Sequence, residues 1–325
     1  MWRKSGGLGC RIFFCKNLHP QNYSTSHKSV FLKCTDGSGD RFYCYLCTLQ
    51  PLTDKKDIRS ITLEDLSAQF VASGQKAFRA KQVHEWLWKK GARTFDEMTN
   101  LSIELRQWLN EHYTLHLVSV HHSQTSTDGT IKLAFKLHDD AIVEGVLIPT
   151  AKRMTACVSS QVGCSLSCKF CATGFLKRMR NLEASEIYDQ VLLIHQLALK
   201  TYNIPLTNIV FMGMGEPLLN YNNVLESINK ITSPEGLGMS PHRITVSTAG
   251  IAKMIKKLAD DKVKFNLALS LHAANNEKRS AIMPINDSNP LEDLTEALQY
   301  FYRNTKNKIT LEYAVMNDTN DGNQE

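Results

Sequence analysis

The chain has 325 residues, of which 42% are hydrophobic and 22% charged, and carries a net charge of +6. That length allows one large domain with a smaller one, and the composition is that of a globular chain rather than a disordered or fibrous one. No apolar run approaches the roughly 20 residues that span a bilayer, so a soluble protein without a membrane partner is expected, and the mild positive charge permits RNA as a partner without demanding it.

In chain order, the first 35 residues carry six Lys/Arg and no acid before Asp36. This composition fits either an organelle transit peptide or a disordered extension, and the extension is the simpler reading for residues 1 to 56. Nine cysteines, an odd and clustered set, do not suit a secreted disulfide framework. They point to metal or redox chemistry in a reducing compartment. Cys44 and Cys47 form a CxxC, but Cys10, Cys15 and Cys34 stand at irregular distances from it, which is weak support for a four-ligand zinc site.

From Ile61 to Tyr113 the apolar period is helical. Thr62 with Asp65 three residues on forms an N-cap signal; Leu63, Leu66 and Phe70 continue one face. Val83, Trp86 and Leu87 mark a second helix that Gly91 can end, and LSIELRQWLNEHY a third. Lys76, Arg79, Lys81, Lys89 and Lys90 make a basic stripe, either a solvated face or an RNA contact. From His116 to Pro149 the period changes to two, and TIKLAFKLHD with AIVEGVLIP predicts a hairpin turning near Asp139 and Asp140.

After Met154, strands and helices alternate. The strands are TACVSSQ, TNIVFMG, RITVSTA, KFNLALSLH and KITLEYAVM; the helices are LEASEIYDQVLLIHQLALK, YNNVLESINKI, IAKMIKKLAD and PLEDLTEALQYFYRN. This repeat predicts an α/β fold with parallel strands, as a barrel or an open sheet. GCSLSCKFCATG, MGMGEP, STAG and SLHAANN all follow strands, so four polar loops converge on one face. Cys164, Cys168 and Cys171 have the spacing Cys-x3-Cys-x2-Cys. Three thiolates without a fourth ligand at a standard distance suit a [4Fe–4S] cluster with one open iron better than zinc; three metal-free buried thiols are the bland alternative. Phe170, just before Cys171, offers an aromatic wall.

These cysteines, with the aromatic residue before the last, resemble the radical S-adenosylmethionine (SAM) superfamily. The strings ACVSSQVGCSLSCKFCATG, NIVFMGMGEPLLNYNNV, ITVSTAG, LALSLHAANNEKRSAIMPIN and KAFRAKQVHEWLWKKGARTFDEMTNLS resemble, more narrowly, the RlmN/Cfr-like dual-specificity RNA methyltransferases. The resemblance runs from about Asp57 to Glu325. It implies a partial (β/α) radical SAM barrel of about five of six strands in residues 151 to 325. A helical, RNA-binding accessory domain in residues 57 to 115 and a β-hairpin connector in 116 to 150 would precede it.

By resemblance the cofactors are a [4Fe–4S] cluster and SAM, and the substrates are adenosines of 23S rRNA and tRNA. The reaction at adenine C2 proceeds through a methyl-cysteine and a 5'-deoxyadenosyl radical; Cfr-type members modify C8 instead. Carried over by position, Cys164, Cys168 and Cys171 ligate the cluster. Gly215 and Glu216 meet the SAM amino group, and Ser247, Ser270, Leu271 and His272 line the rest of its site. Glu144 matches a proton acceptor, and Cys157 a cysteine that releases product by closing a disulfide. Without the resemblance, Glu144 reads as a plain strand carboxylate, Cys157 as a packed thiol and His272 as a core histidine. An electron donor such as flavodoxin, a monomeric state and a cytoplasmic location are further expectations, with an organelle as alternative if the N-terminus is a transit peptide. In the family the methyl-carrying cysteine lies beyond a further strand, after the point where this chain ends at Glu325. As written, the chain is then expected to be C-terminally incomplete, poorly stable at its open sheet edge and inactive in methyl transfer. A catalytically dead iron–sulfur and RNA-binding fragment is the alternative reading.

Overall fold

The computed structural model describes residues 55–322, together with the backbone of residues 30–35 and 41–46. Two compact units divide the chain, Met1–Asp54 and Lys55–Glu325. In the first, β1 (Val30–Thr35) pairs antiparallel with β2 (Arg41–Leu46). The expectations of a transit peptide, a disordered extension and a zinc site otherwise fall on residues outside those described.

The second unit opens with three helices, α1 (Leu63–Ala72), α2 (Phe78–Trp88) and α3 (Ile103–His112). Thr62 and Ser102 cap the first and third, each side chain accepting from the backbone N–H three residues on, which satisfies one of the orphan donors of a helix start. Leu66, Phe70, Val83, Leu87, Leu105 and Leu109 are buried at the predicted spacing. Trp88 rather than Trp86 is the fully buried tryptophan of α2. It packs edge-on to Tyr188 at 5.1 Å and so ties the helices to the rest of the unit.

The sheet that follows has eight strands. They are β3 (Ser119–Thr125), β4 (Ile131–Lys136), β5 (Ile142–Thr150), β6 (Arg153–Cys157), β9 (Asn208–Phe211), β10 (Ile244–Thr248), β11 (Asn266–Ser270) and β12 (Ile309–Glu312), with β7 (Gln161–Val162) and β8 (Arg180–Asn181) forming a separate short pair. The spatial order is β12-β11-β10-β9-β6-β5-β4-β3. From β6 to β12 every pairing is parallel, and β3 to β6 are antiparallel. The hairpin is therefore hydrogen-bonded into the same sheet as the parallel strands, through β5 and β6.

In the parallel half, neighbours in space are neighbours in sequence. The crossovers are α4 (Ala184–Tyr202), α5 (Tyr221–Thr232), α6 (Ala252–Asp260), and α7 (Asn276–Ile282) followed by α8 (Leu291–Thr305). A strand order that never reverses is that of a barrel-type α/β sheet rather than of a doubly wound one. The five parallel strands expected of a radical SAM barrel are all present. β12 is the last strand in the sheet order and pairs with β11. Among the described residues no helix is long and apolar enough to cross a membrane.

One buried ion pair fastens the helices to the sheet. Arg59 donates to Asp189 of α4 at 2.7 Å and to the carbonyl of His116 at 2.7 Å, and Asp57 lies 3.6 Å from the same guanidinium. Asp189 also accepts from the Val118 N–H at 3.1 Å.

Candidate active site

The C-terminal ends of the parallel strands enclose a cavity of about 270 Å3. Its wall contains Cys164, Cys168 and Cys171 after β6, Gly215 and Glu216 after β9, Ser247 on β10, and Ser270 and His272 at the end of β11. Thus eight residues expected from the sequence are brought together from loops up to about a hundred residues apart, as convergent strand ends require. Leu271 stands behind the wall: its N–H donates to the Glu312 carbonyl at 2.9 Å. Cys157 and Glu144 lie outside the lining. Cys157, at the end of β6, has its sulfur bonded by the backbone of Met212, a residue that does line the cavity; burial pushes its thiol up to about 11. Glu144 is half-exposed on β5 and pairs with Lys132 at 2.7 Å.

The cysteine loop is positioned by backbone. The Val158 N–H donates to Val210, the Gly213 N–H to Val158, and the N–H groups of Ser160 and Gln161 to Met214, at 2.9 to 3.1 Å. These bonds lock the cysteine loop to the MGMGEP loop. Gly163, at φ +75°, has the Lys177 carbonyl only 2.2 Å from where a Cβ would sit, so the chain can return past it only at glycine. Arg180 then anchors the far end of the loop. It binds both oxygens of the fully buried Glu186 at 2.7 and 2.8 Å and Asp139 at 2.7 Å.

The donor set fits an iron–sulfur cluster. All three thiols are half-buried and free, and among the described residues they do not form a set whose ligand atoms all lie within 4.8 Å of one another. Ligands of a single tetrahedral zinc, with Zn–S of about 2.3 Å, would be closer, whereas a cubane spreads its thiolates over different irons. Burial raises the Cys164 thiol, and burial with the neighbouring thiols pushes Cys168 up to about 11. Metal binding must therefore displace protons here.

Glu216 is 3% exposed. Its two oxygens accept from the N–H groups of Leu218 at 3.0 Å and Ala249 at 2.7 Å. An ionised carboxylate offers about four acceptor positions, so capacity remains for a ligand ammonium. Desolvation raises its pKa, and that cost falls when a cation arrives. Gly215 has φ +95°, and a Cβ there would lie 2.4 Å from Gln161 Cβ. His272 accepts from the Ala314 N–H through Nδ1 at 3.0 Å, which leaves its proton on Nε2. Burial, then the nearby Arg279 charge, lowers its pKa. Phe170 meets the His272 ring edge-on at 4.6 Å, which is the aromatic wall the sequence suggested.

Three supporting residues were not singled out from the sequence. Gln161 accepts from the Glu216 N–H at 2.9 Å and donates to Asn181 at 2.8 Å. Asn220 donates to the carbonyls of Ser160 and Leu182 at 2.8 and 2.7 Å. Arg279 holds carbonyls at three strand-end positions. Their signals were polar residues adjoining the motifs, in CVSSQ, PLLN and NEKRS; nothing local tells such a residue from a solvated one.

Comparison with known proteins agrees with this geometry. The model of the ribosomal RNA large subunit methyltransferase N-terminal domain matches residues 56–115, and that of the radical SAM superfamily residues 158–325. A probable dual-specificity RNA methyltransferase RlmN of Cytophaga hutchinsonii is 59% identical over 284 residues, covering 87% of this chain and 78% of the relative. A putative one of Streptococcus pneumoniae is 41% identical over 269 residues, covering 82% and 74%. The crystal structure of a radical SAM methyltransferase from Sphaerobacter thermophilus superposes with a TM-score of 0.77 at 36% identity, covering 83% of this chain and 79% of that one. The three-cysteine loop, the strand-end cavity and these likenesses together place the chain in the RlmN family of radical SAM methyltransferases, which use a [4Fe–4S] cluster and SAM.

Proposed function

We propose that this protein methylates C2 of adenine in 23S rRNA and in tRNA. The observation that carries the reading is the joining, in one strand-end cavity, of three free thiols with a buried carboxylate that keeps acceptor capacity. In this reading Cys164, Cys168 and Cys171 hold the cluster. Glu216 accepts from the SAM ammonium, Gly215 lets the backbone approach it, and Ser247, Ser270 and His272 line the remainder, with Leu271 fixing the loop behind them. Bound there, the cluster and SAM supply the one-electron chemistry that an aromatic C–H needs, since no side-chain base removes that proton at neutral pH. Glu144 is the proposed proton acceptor, and Lys132 pairs with it at the strand surface. Cys157 is the proposed thiol for product release; its burial keeps it protonated and unreactive until the site changes around it. The proposed domains are the helical RNA-contacting residues 57–115, the connector 116–150 and the radical SAM core from 151. Of the basic stripe, Lys76, Lys81, Lys89 and Lys90 are exposed, which supports phosphate contact. A monomeric state, a cytoplasmic location and an electron donor such as flavodoxin complete the proposal.

By resemblance the reaction needs a methyl-carrying cysteine, and no cysteine follows Cys171 in this sequence. The test therefore joins the chain to the C-terminal strand and cysteine of a relative, then combines anaerobic cluster reconstitution, incubation with SAM, reductant and rRNA or tRNA, and mass spectrometry of the digested nucleosides. 2-Methyladenosine is expected. 8-Methyladenosine would move the protein to the C8 branch, and a cluster-loaded protein that leaves RNA unmethylated would refute the proposal.

A further inference from the structure

Arg279 lies on α7 beneath the cofactor cavity and is 0% exposed. Its Nε donates to the Leu271 carbonyl at 3.1 Å. Nη2 donates to the carbonyls of Ala249 at 2.6 Å and Ser270 at 3.1 Å, and Nη1 to Asn286 Oδ1 at 2.8 Å. Asn286 is itself held by Asn276 and Ser280. Every one of these partners is neutral, and among the described residues no carboxylate forms an ion pair with this guanidinium. Taking such a cation out of water costs several kcal/mol. Carbonyl dipoles replace the lost hydrogen bonds but do not cancel the charge.

What stands near is the cysteine loop. The Lys169 N–H donates to the carbonyl of Ile282, at the end of α7, at 2.9 Å, and Cys168 packs against the apolar cluster of Ala249, Ala273, Ile282 and Met283. α7 is thus bonded directly to the loop whose thiols lose their protons when metal binds.

We propose that Arg279 is the buried counter-charge of the thiolate-bound cluster: it fixes the carbonyls at the ends of β10 and β11 and, by its net charge, makes the cluster easier to reduce. The inference rests on the assignment of Cys164, Cys168 and Cys171 as cluster ligands. Its physical basis is that the potential of an iron–sulfur cluster responds to net charge and burial. A fixed cation favours the state that holds one more electron.

The experiment compares parent, Arg279→Lys, Arg279→Gln and Asn286→Asp proteins after anaerobic reconstitution. Iron per chain tests the ligand assignment; the cluster midpoint, followed by electron paramagnetic resonance in a redox titration without SAM, tests the counter-charge. The Arg279→Lys protein should hold iron with a midpoint near the parent's. In Arg279→Gln, and in Asn286→Asp where a carboxylate neutralises the cation in place, the cluster should be harder to reduce. The expected change is about tenfold in the reduced-to-oxidised ratio at fixed potential, a downward shift of about 59 mV for one electron. Iron retained by Arg279→Lys but lost from Arg279→Gln also supports the proposal. Midpoints in Arg279→Gln and Asn286→Asp equal to the parent's, or equal loss of iron from Arg279→Lys and Arg279→Gln, would overturn it and leave Arg279 a fastener of loops. Absence of iron from the parent itself would instead refute the ligand assignment.

Discussion

Among the described residues, two arginines are buried with opposite surroundings. Arg59, where the helical segment meets α4, has carboxylates at 2.7 Å and 3.6 Å. Arg279, under the cavity, has four neutral acceptors. The first site is closed electrostatically, and its work is to hold two elements together. The second is held by neutral acceptors alone, so its positive charge is left for what the cavity binds. The same side chain is therefore a joint in one region and part of a charged floor in the other. What separates them is whether the compensating charge is supplied by the chain or by what the chain binds.

The largest effect should come from emptying the floor of its ligands. Cys168→Ala is expected to abolish cluster binding and reductive SAM cleavage while leaving the apo protein's melting transition close to the parent's. Iron analysis beside differential scanning calorimetry checks this, and a collapsed melt would make the thiol structural. Next comes the joint. Asp189→Ala leaves Arg59 with only the more distant Asp57, and a buried pair broken from one side costs about 3–5 kcal/mol; urea unfolding measures it. The paired change Arg59→Met with Asp189→Leu should recover only part of that loss, because the buried Asp57 then stays without its cation and the Val118 N–H without its acceptor.

A smaller effect belongs to ligand recognition. Glu216→Gln keeps the shape of the side chain and loses its charge, so SAM affinity should weaken by about 2 kcal/mol, near thirtyfold in Kd. Desolvation raises the Glu216 pKa. SAM binding by the parent should thus be full well above the ordinary glutamate range and fall as pH drops through the raised value. The variant's affinity should be flat over the same window; a parallel pH profile in both proteins would shift the titration to another group.

The smallest effect lies at the hairpin turn. The Arg180 hydrogen bond holds Asp139 down to about 2 from its ordinary 3.8. A depressed folded pKa gives stability that is present above about pH 4 and lost as pH falls toward 2. The carboxylate is partly exposed, so solvent screening limits its worth to about 0.2–1 kcal/mol. Asp139→Asn should differ from the parent by that amount at neutral pH and converge with it in acid, in urea titrations at several pH values.

The sequence was most legible where structure is local. The cap at Thr62, the helical faces of α1 to α6 and α8, and the five parallel strands follow from spacing of apolar and capping residues within a few turns. β3 was missed because all seven of its residues are exposed, so no alternation marks it. α7 was missed because seven residues after an Asn cap, in a polar string, are too short to show a period. The joining of the hairpin to the parallel strands was invisible as well, since the β5–β6 ladder is written in backbone bonds that any sequence of that pattern can make.

For the site, the sequence by itself determined the three thiols, the MGMGEP and SLH loops and the chemistry these suit, because cluster ligation and close backbone approach demand particular residue types at fixed spacing. Only the tertiary structure decided which of these residues share a cavity, that Glu216 is buried with both oxygens already bonded, and that Glu144 and Cys157 stand outside the wall. It alone decided the standing of Arg279, which in sequence is one more cation in a polar string. Its partner at Ala249 is 30 residues away, and burial without a counter-ion is a property of the folded surroundings, which no local pattern encodes.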